Sequence, residues 1–397
     1  MSNIKSENHP EVDVRFETPE LDARSETMDA EPQTSEPEDP EAQNPEPEGP
    51  EPVLPIEAHK RIAHYHIQCP NPTGEFDIES YFIEMTQAYH RIKLINAFGP
   101  LAIHPGARIL EIGCGQGTCT AVLADAVSPS GGHITAIDPA PGTYGAPFTL
   151  AQAQNHLTSS PTSPQHIKNG ITFHLQTDLF SLLQKNPNAK WDTAVLVHSI
   201  WYLDEPEKTL SQILKALKGK VKRICVAEYA LQASNPKAVP HVLAAVTRGM
   251  LEAHKEIGTS ESNIRGVISP RGIINHFEHA GGGKWRLERQ AVVVPIDALS
   301  DGSWETDSVL EIGFLKSVED EVRDERVKTV LRSSRDAVER AVVKLGGGNE
   351  RVKQRVQTMD VWVGVFVWDE SLPEVEEGGS VHVTECKKCK GCKEVRK

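Results

Sequence analysis

The stretch RILEIGCGQGTCTAVLADAV, residues 108–127, constrains this chain more than any other. An apolar run ends beside an acid, Glu111, and then turns through Gly113, Gly115 and Gly117, with Cys114 and Gln116 between them. A helix-like pattern starts at Thr118. Glycines in such a turn leave out β-carbons, so a ligand can approach the backbone closely. In parallel sheets ligands sit outside the carboxyl ends of the strands, near the point where strand order reverses. A strand, a glycine turn and a helix therefore predict both a sheet type and a place for a ligand.

The rest of the chain supplies the sheet. Residues 107–112, 133–138, 171–175, 191–199 and 223–230 read as strands, each a short apolar run bounded by turn residues. Between them the spacing predicts helices over 118–127, 147–157 (with Pro147 near its start), 204–219 and 240–256. Helix 204–219 is acidic first and basic last, as the helix dipole favours. Before the glycine turn, Tyr81, Phe82, Met85, Tyr89, Ile92 and Ile95 recur at helical spacing over 77–99, and Gly99 stops the run. Late in the chain, 285–294 and 359–368 read as strands. The segment between them reads as mostly helical, with a break expected at Ser333–Ser334. Alternating strands and helices predict a mostly parallel sheet covered on both faces.

Charge is distributed unevenly. Residues 1–52 hold sixteen acidic and three basic residues, a net of −13 within a chain total of −14. That Pro/Glu-rich segment has too little apolar surface to offset the entropy of ordering, and disorder is expected there. The near-neutral remainder lacks the basic stripe expected of a nucleic-acid binder. The cluster LKALKGKVKR falls at a helix C-terminus and a strand start, the end of the sheet away from the ligand. No apolar run is long enough to predict a membrane span, and no secretory signal pattern opens the chain. Seven scattered cysteines point to a reducing compartment, and a cytoplasmic protein is expected. The tail motif ECKKCKGCKE has three cysteines where structural zinc wants four ligands, so no metal is expected.

Two ligand classes use a glycine turn of this kind. Dinucleotides want G-x-G-x-x-G with the pyrophosphate on the helix N-terminus. Here the third glycine comes one place early, and Glu111 lies two residues before the first. A carboxylate there is awkward beside a pyrophosphate and suits a ligand carrying an ammonium group. This arrangement resembles motif I of the class I S-adenosylmethionine-dependent methyltransferases. The resemblance extends to Asp138 ending HITAID, to Asp178 after ITFHL, and to Trp191-Asp192 opening the fourth strand, which ends at His198-Ser199. It covers residues 100–230 well, and 285–294 and 359–368 more loosely.

The resemblance implies a Rossmann-like α/β fold: a seven-stranded, mostly parallel sheet with helices on both faces, plus helical cap insertions. It implies S-adenosyl-L-methionine as cofactor. Glu111 would face the methionine ammonium, Gly113, Gly115 and Gly117 would pass under the cofactor, Asp138 would accept from the ribose hydroxyls, and Asp178 would meet the adenine. Asp178 also reads as a helix N-cap, and Asp138 as a turn residue before Pro139. His198 is the candidate base, against a packing or orienting role. Tyr81, Tyr89, Trp201, Tyr202 and Glu228 are substrate-pocket candidates, with Trp201 and Tyr202 equally readable as core; Tyr229 ends the fifth strand with Glu228 within reach of the pocket, and His90 joins Tyr81 and Tyr89 as a lid candidate. Cys114 and Cys119 read as small fillers, and His241 and His254 as surface or packing residues. The expected organisation is an acidic tail over 1–54, a helical lid over 55–100, a methyltransferase domain over 101–370 with a helical insertion at about 296–350, and a Cys/Lys tail over 371–397. The expected reaction is in-line methyl transfer to a small molecule; alternatives are a protein acceptor or a non-catalytic interaction protein that keeps the fold.

Overall fold

The computed structural model describes residues 52–67, 78–260, 262–279, 283–346 and 355–372. The expected disordered segment before residue 52 and the cysteine-bearing tail lie outside the described residues.

Two helices come first, α1 (Ala58–Ala63) and α2 (Ile78–Phe98). Then strands and helices alternate: β1 (Arg108–Ile112), α3 (Thr118–Val127), β2 (His133–Asp138), α4 (Leu150–Ser159), α5 (Gln165–Gly170), β3 (Ile171–Leu175), α6 (Leu179–Lys185), β4 (Thr193–Val197), α7 (Pro206–Leu217) and β5 (Arg223–Tyr229). The chain continues through α8 (Val239–Glu252), α9 (Pro270–His279), β6 (Trp285–Val293), α10 (Asp301–Leu310), α11 (Ile312–Glu321), α12 (Glu325–Val343) and β7 (Val361–Trp368).

The strands form one seven-stranded sheet in the order β3-β2-β1-β4-β5-β7-β6. The first five are parallel, and β7 enters antiparallel between β5 and β6. Strand order reverses between β1 and β4, so the carboxyl ends of those two strands frame a crevice. Apolar composition explains the depth of the centre. All five residues of β4 are buried, as are the first six of β7. Strands covered on both faces need apolar side chains on both.

Each face has its own core. On one, Ala88, Ile92, Leu94, Ile95 and Phe98 of α2 pack with Ile109 of β1, Ile134 of β2 and the apolar side of α3. The 55–100 helices thus share the sheet's core. On the other face, Leu210, Ile213, Leu214 and Leu217 of α7 are buried at helical spacing beside Phe277 of α9 and Phe366 of β7. Full burial of such side chains stabilises by roughly 1.5–3 kcal/mol each, before the entropy of ordering is subtracted. The insertion between β6 and β7 makes a third cluster, in which Val309, Phe314, Val318, Leu331 and Val338 pack on Ala244 and Leu251 of α8.

Several boundaries differ from the sequence expectation. The break expected at Ser333–Ser334 is absent, because α12 runs through both residues. Its buried stripe of Leu331, Val338 and Val342 outweighs the small helix penalty of serine. The chain breaks earlier, where the Asp324 side chain accepts from the N–H of Arg326 and caps α12. Helix α4 starts at Leu150, not at Pro147, because Thr149 and Gln152 form a reciprocal capping box. The short helices α1, α5 and α6 carry too few turns to show periodicity in sequence. Among the described residues no helix is long and apolar enough to cross a membrane, and no group of three or more His, Cys, Asp or Glu could hold a metal ion.

Candidate functional site

The turn between β1 and α3 is held from beneath. The N–H groups of Gly113 and Cys114 donate to the carbonyl of Ile137, and Gly115 N–H donates to Asp138 Oδ2 at 2.9 Å. Asp138 Oδ1 accepts from Ala140 N–H at 2.9 Å, so this carboxylate braces two loops at once. Gln154 of α4 donates to the carbonyl of Gly115 at 2.7 Å. All three glycines have positive φ, from 53° to 93°. Their surroundings differ. A β-carbon on Gly113 would lie 2.6 Å from Ser199 Cβ, and one on Gly117 would lie 2.6 Å from Leu157 Cδ1. At Gly115 nothing stands within 4 Å. The open side of the turn is at Gly115, beside Asp138.

The acids follow the strand ends. Glu111 is 2% exposed, and Thr120 Oγ1 donates to its Oε2 at 2.5 Å. Burial pushes its carboxyl up to about 7, against the Thr120 hydrogen bond and the Arg91 charge, which favour ionisation. A buried carboxyl of this kind gains most from a cationic neighbour. Asp138 pairs in register with Leu175 of β3, and Asp178 follows three residues later. Asp178 is exposed and caps α6, its Oδ1 accepting from Ser181 N–H at 2.7 Å. One carboxylate oxygen makes that cap, and the other has no part in it. Burial pushes the Cys114 and Cys119 thiols well above their ordinary range, which disfavours thiolate chemistry.

The second half of the crevice is the end of β4. His198 sits there in the left-handed region, with φ of 48° and a side chain 10% exposed. Neither ring nitrogen has a hydrogen-bond partner among the described residues. Its Nδ1 lies 3.5 Å from Glu228 Oε1, an ion-pair distance but too long for a good hydrogen bond. Glu228 itself is 1% exposed and committed to the backbone: Oε2 accepts from Ile200 and Trp201 N–H at 3.0 and 3.3 Å, and Oε1 from Tyr229 N–H at 3.1 Å. The carboxylate braces the loop that carries His198.

Around His198 stand the lid candidate His90 and the strand-end residue Tyr229, with Asp301, which the sequence did not single out. His90 of α2 has its ring centroid 5.8 Å away, is fully buried, and has no partner on either nitrogen. Tyr229 lies 4.5 Å away on another side, and its hydroxyl donates to Asp301 Oδ2 at 3.1 Å. Asp301 also accepts from Gln87 Nε2 at 2.7 Å, which ties α10 to α2 above the strand ends. Behind Tyr229, His241 packs edge-on at 5.0 Å and accepts from Met359 N–H, the packing role expected of it. Burial and the Arg91 charge lower the His198 pKa, with Glu228 and Asp301 opposing. Burial lowers His90 further. Both shifts favour the neutral imidazole, and the two rings lie side by side at a tilt of 33°. His90 was expected in a lid and stands beside His198 instead; the sequence signal available for Arg91 was its place next to His90 on a helix with an otherwise apolar buried face. Asp301 gave none, since its partners lie 72 and 214 residues away.

The remaining pocket candidates separate. Tyr81 donates to the carbonyl of Lys60 and stacks on His64, and Tyr89 packs edge-on against His59, so both meet α1 and its flank. Trp201 is 2% exposed and donates to the carbonyl of Ile268; its ring lies 5.3 Å from Tyr229, on the core side. Tyr202 is 40% exposed.

A family model described as a methyltransferase domain matches residues 83–254. Two methyltransferases of Diaporthe leptostromiformis, phomM′ and phomM, are 29% and 28% identical over 287 residues, covering 64% of this chain and 71% of each relative. Among solved structures, a cyclopropane-fatty-acyl-phospholipid synthase-like protein from Lactobacillus casei covers 79% of this chain and 99% of its own, at 26% identity and a TM-score of 0.63.

Proposed function

Because this chain belongs to the class I S-adenosylmethionine-dependent methyltransferases, we propose that it methylates a small-molecule acceptor bound beside His198. The observation that carries the proposal is the pairing of two features across one crevice. On the β1–β2 side is a glycine turn open at Gly115 and braced by Asp138. On the β4 side is a buried imidazole with both nitrogens unspent.

The residues present fit the cofactor. Gly115 leaves room for close approach, and Asp138, though it already accepts two N–H groups, has lone pairs left for the ribose hydroxyls. Glu111 takes the ammonium group, which relieves the cost of an unpaired buried carboxylate. The free oxygen of Asp178 serves the adenine edge. When bound, S-adenosylmethionine supplies an electrophilic methyl group on a sulfonium.

The acceptor side is the work of β4 and β5. Burial and the Arg91 charge favour the neutral form of His198, the form that can take a proton from the acceptor atom. Glu228 fixes the loop and stands near enough to favour the imidazolium that results. Tyr229, Trp201 and Asp301 close the space behind it, and alignment of the acceptor is the larger part of catalysis. A small molecule fits this arrangement better than a polypeptide, because α2 and α10 are tied across the strand ends through Gln87 and Asp301. The phomM proteins, named as methyltransferases, are consistent with it. The test is methyl transfer from labelled S-adenosylmethionine into a cell extract supplemented with the full chain. Label in the deproteinised small-molecule fraction is expected. Label confined to precipitated polypeptide would replace this reading with protein methylation, and no transfer to any fraction would favour a non-catalytic role.

A further inference from the structure

The methionine end of the cofactor carries two charges, and the residues above answer only one of them. Glu111 meets the ammonium; the α-carboxylate still needs a cation or a set of donors. A carboxylate buried without a partner costs several kcal/mol, so a protein that encloses it provides one.

Arg91 of α2 has the place and the unspent capacity. Its Nη1 is buried and has no hydrogen-bond partner among the described residues. The nearby carboxylates are engaged by others: Glu111 by Thr120, Glu228 by three backbone N–H groups, and Asp301 by Gln87 and Tyr229. The helix carrying Arg91 passes over the carboxyl edge of the sheet, where Gln87 meets Asp301 and His90 meets His198, and the guanidinium favours the ionised Glu111 and the neutral His198. It follows directly on His90, whose ring is 5.8 Å from His198. A ligand running from Asp138 past Gly115 and Glu111 toward His198 reaches this guanidinium at its amino-acid end.

We propose that Arg91 binds the α-carboxylate of S-adenosylmethionine, so that α2 contributes a cofactor contact that the glycine turn does not supply. This rests on the cofactor reading above. The pairing has a physical logic. Guanidinium and carboxylate match in shape and can share two parallel hydrogen bonds, and burial strengthens both. It also places the cofactor anchor next in sequence to His90, whose ring lies beside the acceptor-facing imidazole of His198.

The test uses two ligands that differ only in the carboxylate: S-adenosylhomocysteine and its decarboxylated analogue, S-adenosyl-3-thiopropylamine. Each is titrated calorimetrically into the full chain and into its Arg91→Gln and Arg91→Lys variants, with melting curves to confirm folding. Parent protein is expected to prefer S-adenosylhomocysteine by roughly 10- to 100-fold, the range of a charge-assisted hydrogen bond. Arg91→Gln should lose most of that preference while binding the analogue as the parent does, and Arg91→Lys should keep part of it. Equal weakening of both ligands would overturn the proposal and give Arg91 a structural role. Unchanged binding of both by Arg91→Gln would overturn it too, and direct the guanidinium at the acceptor. If the parent bound neither ligand, the cofactor reading itself would fall, and this proposal with it.

Discussion

Replacing Glu228 by glutamine tests whether a buried carboxylate organises the His198 loop. The parent carboxylate receives three backbone N–H groups, from Ile200, Trp201 and Tyr229, at 3.0 to 3.3 Å. An amide has one oxygen. With that oxygen toward Ile200 and Trp201, the NH2 group faces the Tyr229 N–H; in the reverse orientation, two donors are orphaned instead. At least one buried N–H is therefore left unpaired, at about 1–3 kcal/mol, and the surviving bonds lose their charge assistance. The sum is about 2–4 kcal/mol, which for a domain of this size lowers Tm by roughly 3–6 °C. Glu228→Ala should cost more, since all three donors lose their acceptor. Thermal melts and urea midpoints of parent and variant measure the difference. A Glu228→Gln variant within about 0.5 kcal/mol of the parent, the range of an ordinary surface change, would refute the brace. The left-handed backbone of His198 would then have to be held by something else.

Three side chains carry the other expectations. Glu111 keeps its proton up to about 7 in the free protein, against an ordinary value of 4.5. Its folded pKa is raised, so it contributes stability below about pH 4.5 that is lost as pH rises through 7. An ammonium beside it reverses that preference, so S-adenosylhomocysteine binding near pH 6 should release close to one proton and near pH 8.5 almost none; calorimetry in buffers of different ionisation enthalpy would detect it, and buffer-independent heats at both pH values would count against the Glu111–ammonium contact. His198→Ala should lower turnover by roughly 100-fold with cofactor affinity intact, whereas a drop in affinity would place the imidazole in the cofactor's contacts. Asp138→Ala should weaken S-adenosylhomocysteine at least about tenfold and also destabilise the fold by roughly 2–4 kcal/mol, because the Gly115 and Ala140 N–H groups lose their acceptor; unchanged affinity in the melting-competent variant would remove Asp138 from the ribose site.

Local chemistry was legible in the sequence, and long-range chemistry was not. The strands of the parallel half announced themselves as apolar runs, and the glycine turn announced their carboxyl ends, so Glu111, Asp138 and His198 could be set at one edge before any coordinates. The separate duties of the glycines could not be read that way. Gly113 is pressed by Ser199 and Gly117 by Leu157, contacts that exist only once β4 and α4 are in place. Glu228 read as a pocket residue because it ends a strand beside the site, yet its oxygens turn back to the loop after β4. His90 was legible only as a lid residue, and Arg91 was hidden in a helix whose apolar spacing was the louder signal. The Ser333–Ser334 break was expected from local propensity, and tertiary burial of Leu331 and Val338 overrode it.

The central claim is that the edge formed by Gly115, Asp138 and Glu111 holds S-adenosylmethionine. Titrating S-adenosylhomocysteine and NAD in parallel into the full chain, by calorimetry and by melting, tests it most directly. A ligand that binds only the folded state must raise Tm. Saturable one-site binding of S-adenosylhomocysteine with a rise in Tm is expected, and neither effect with NAD. No heat and no shift at saturating S-adenosylhomocysteine, or a shift with NAD in its place, would contradict it.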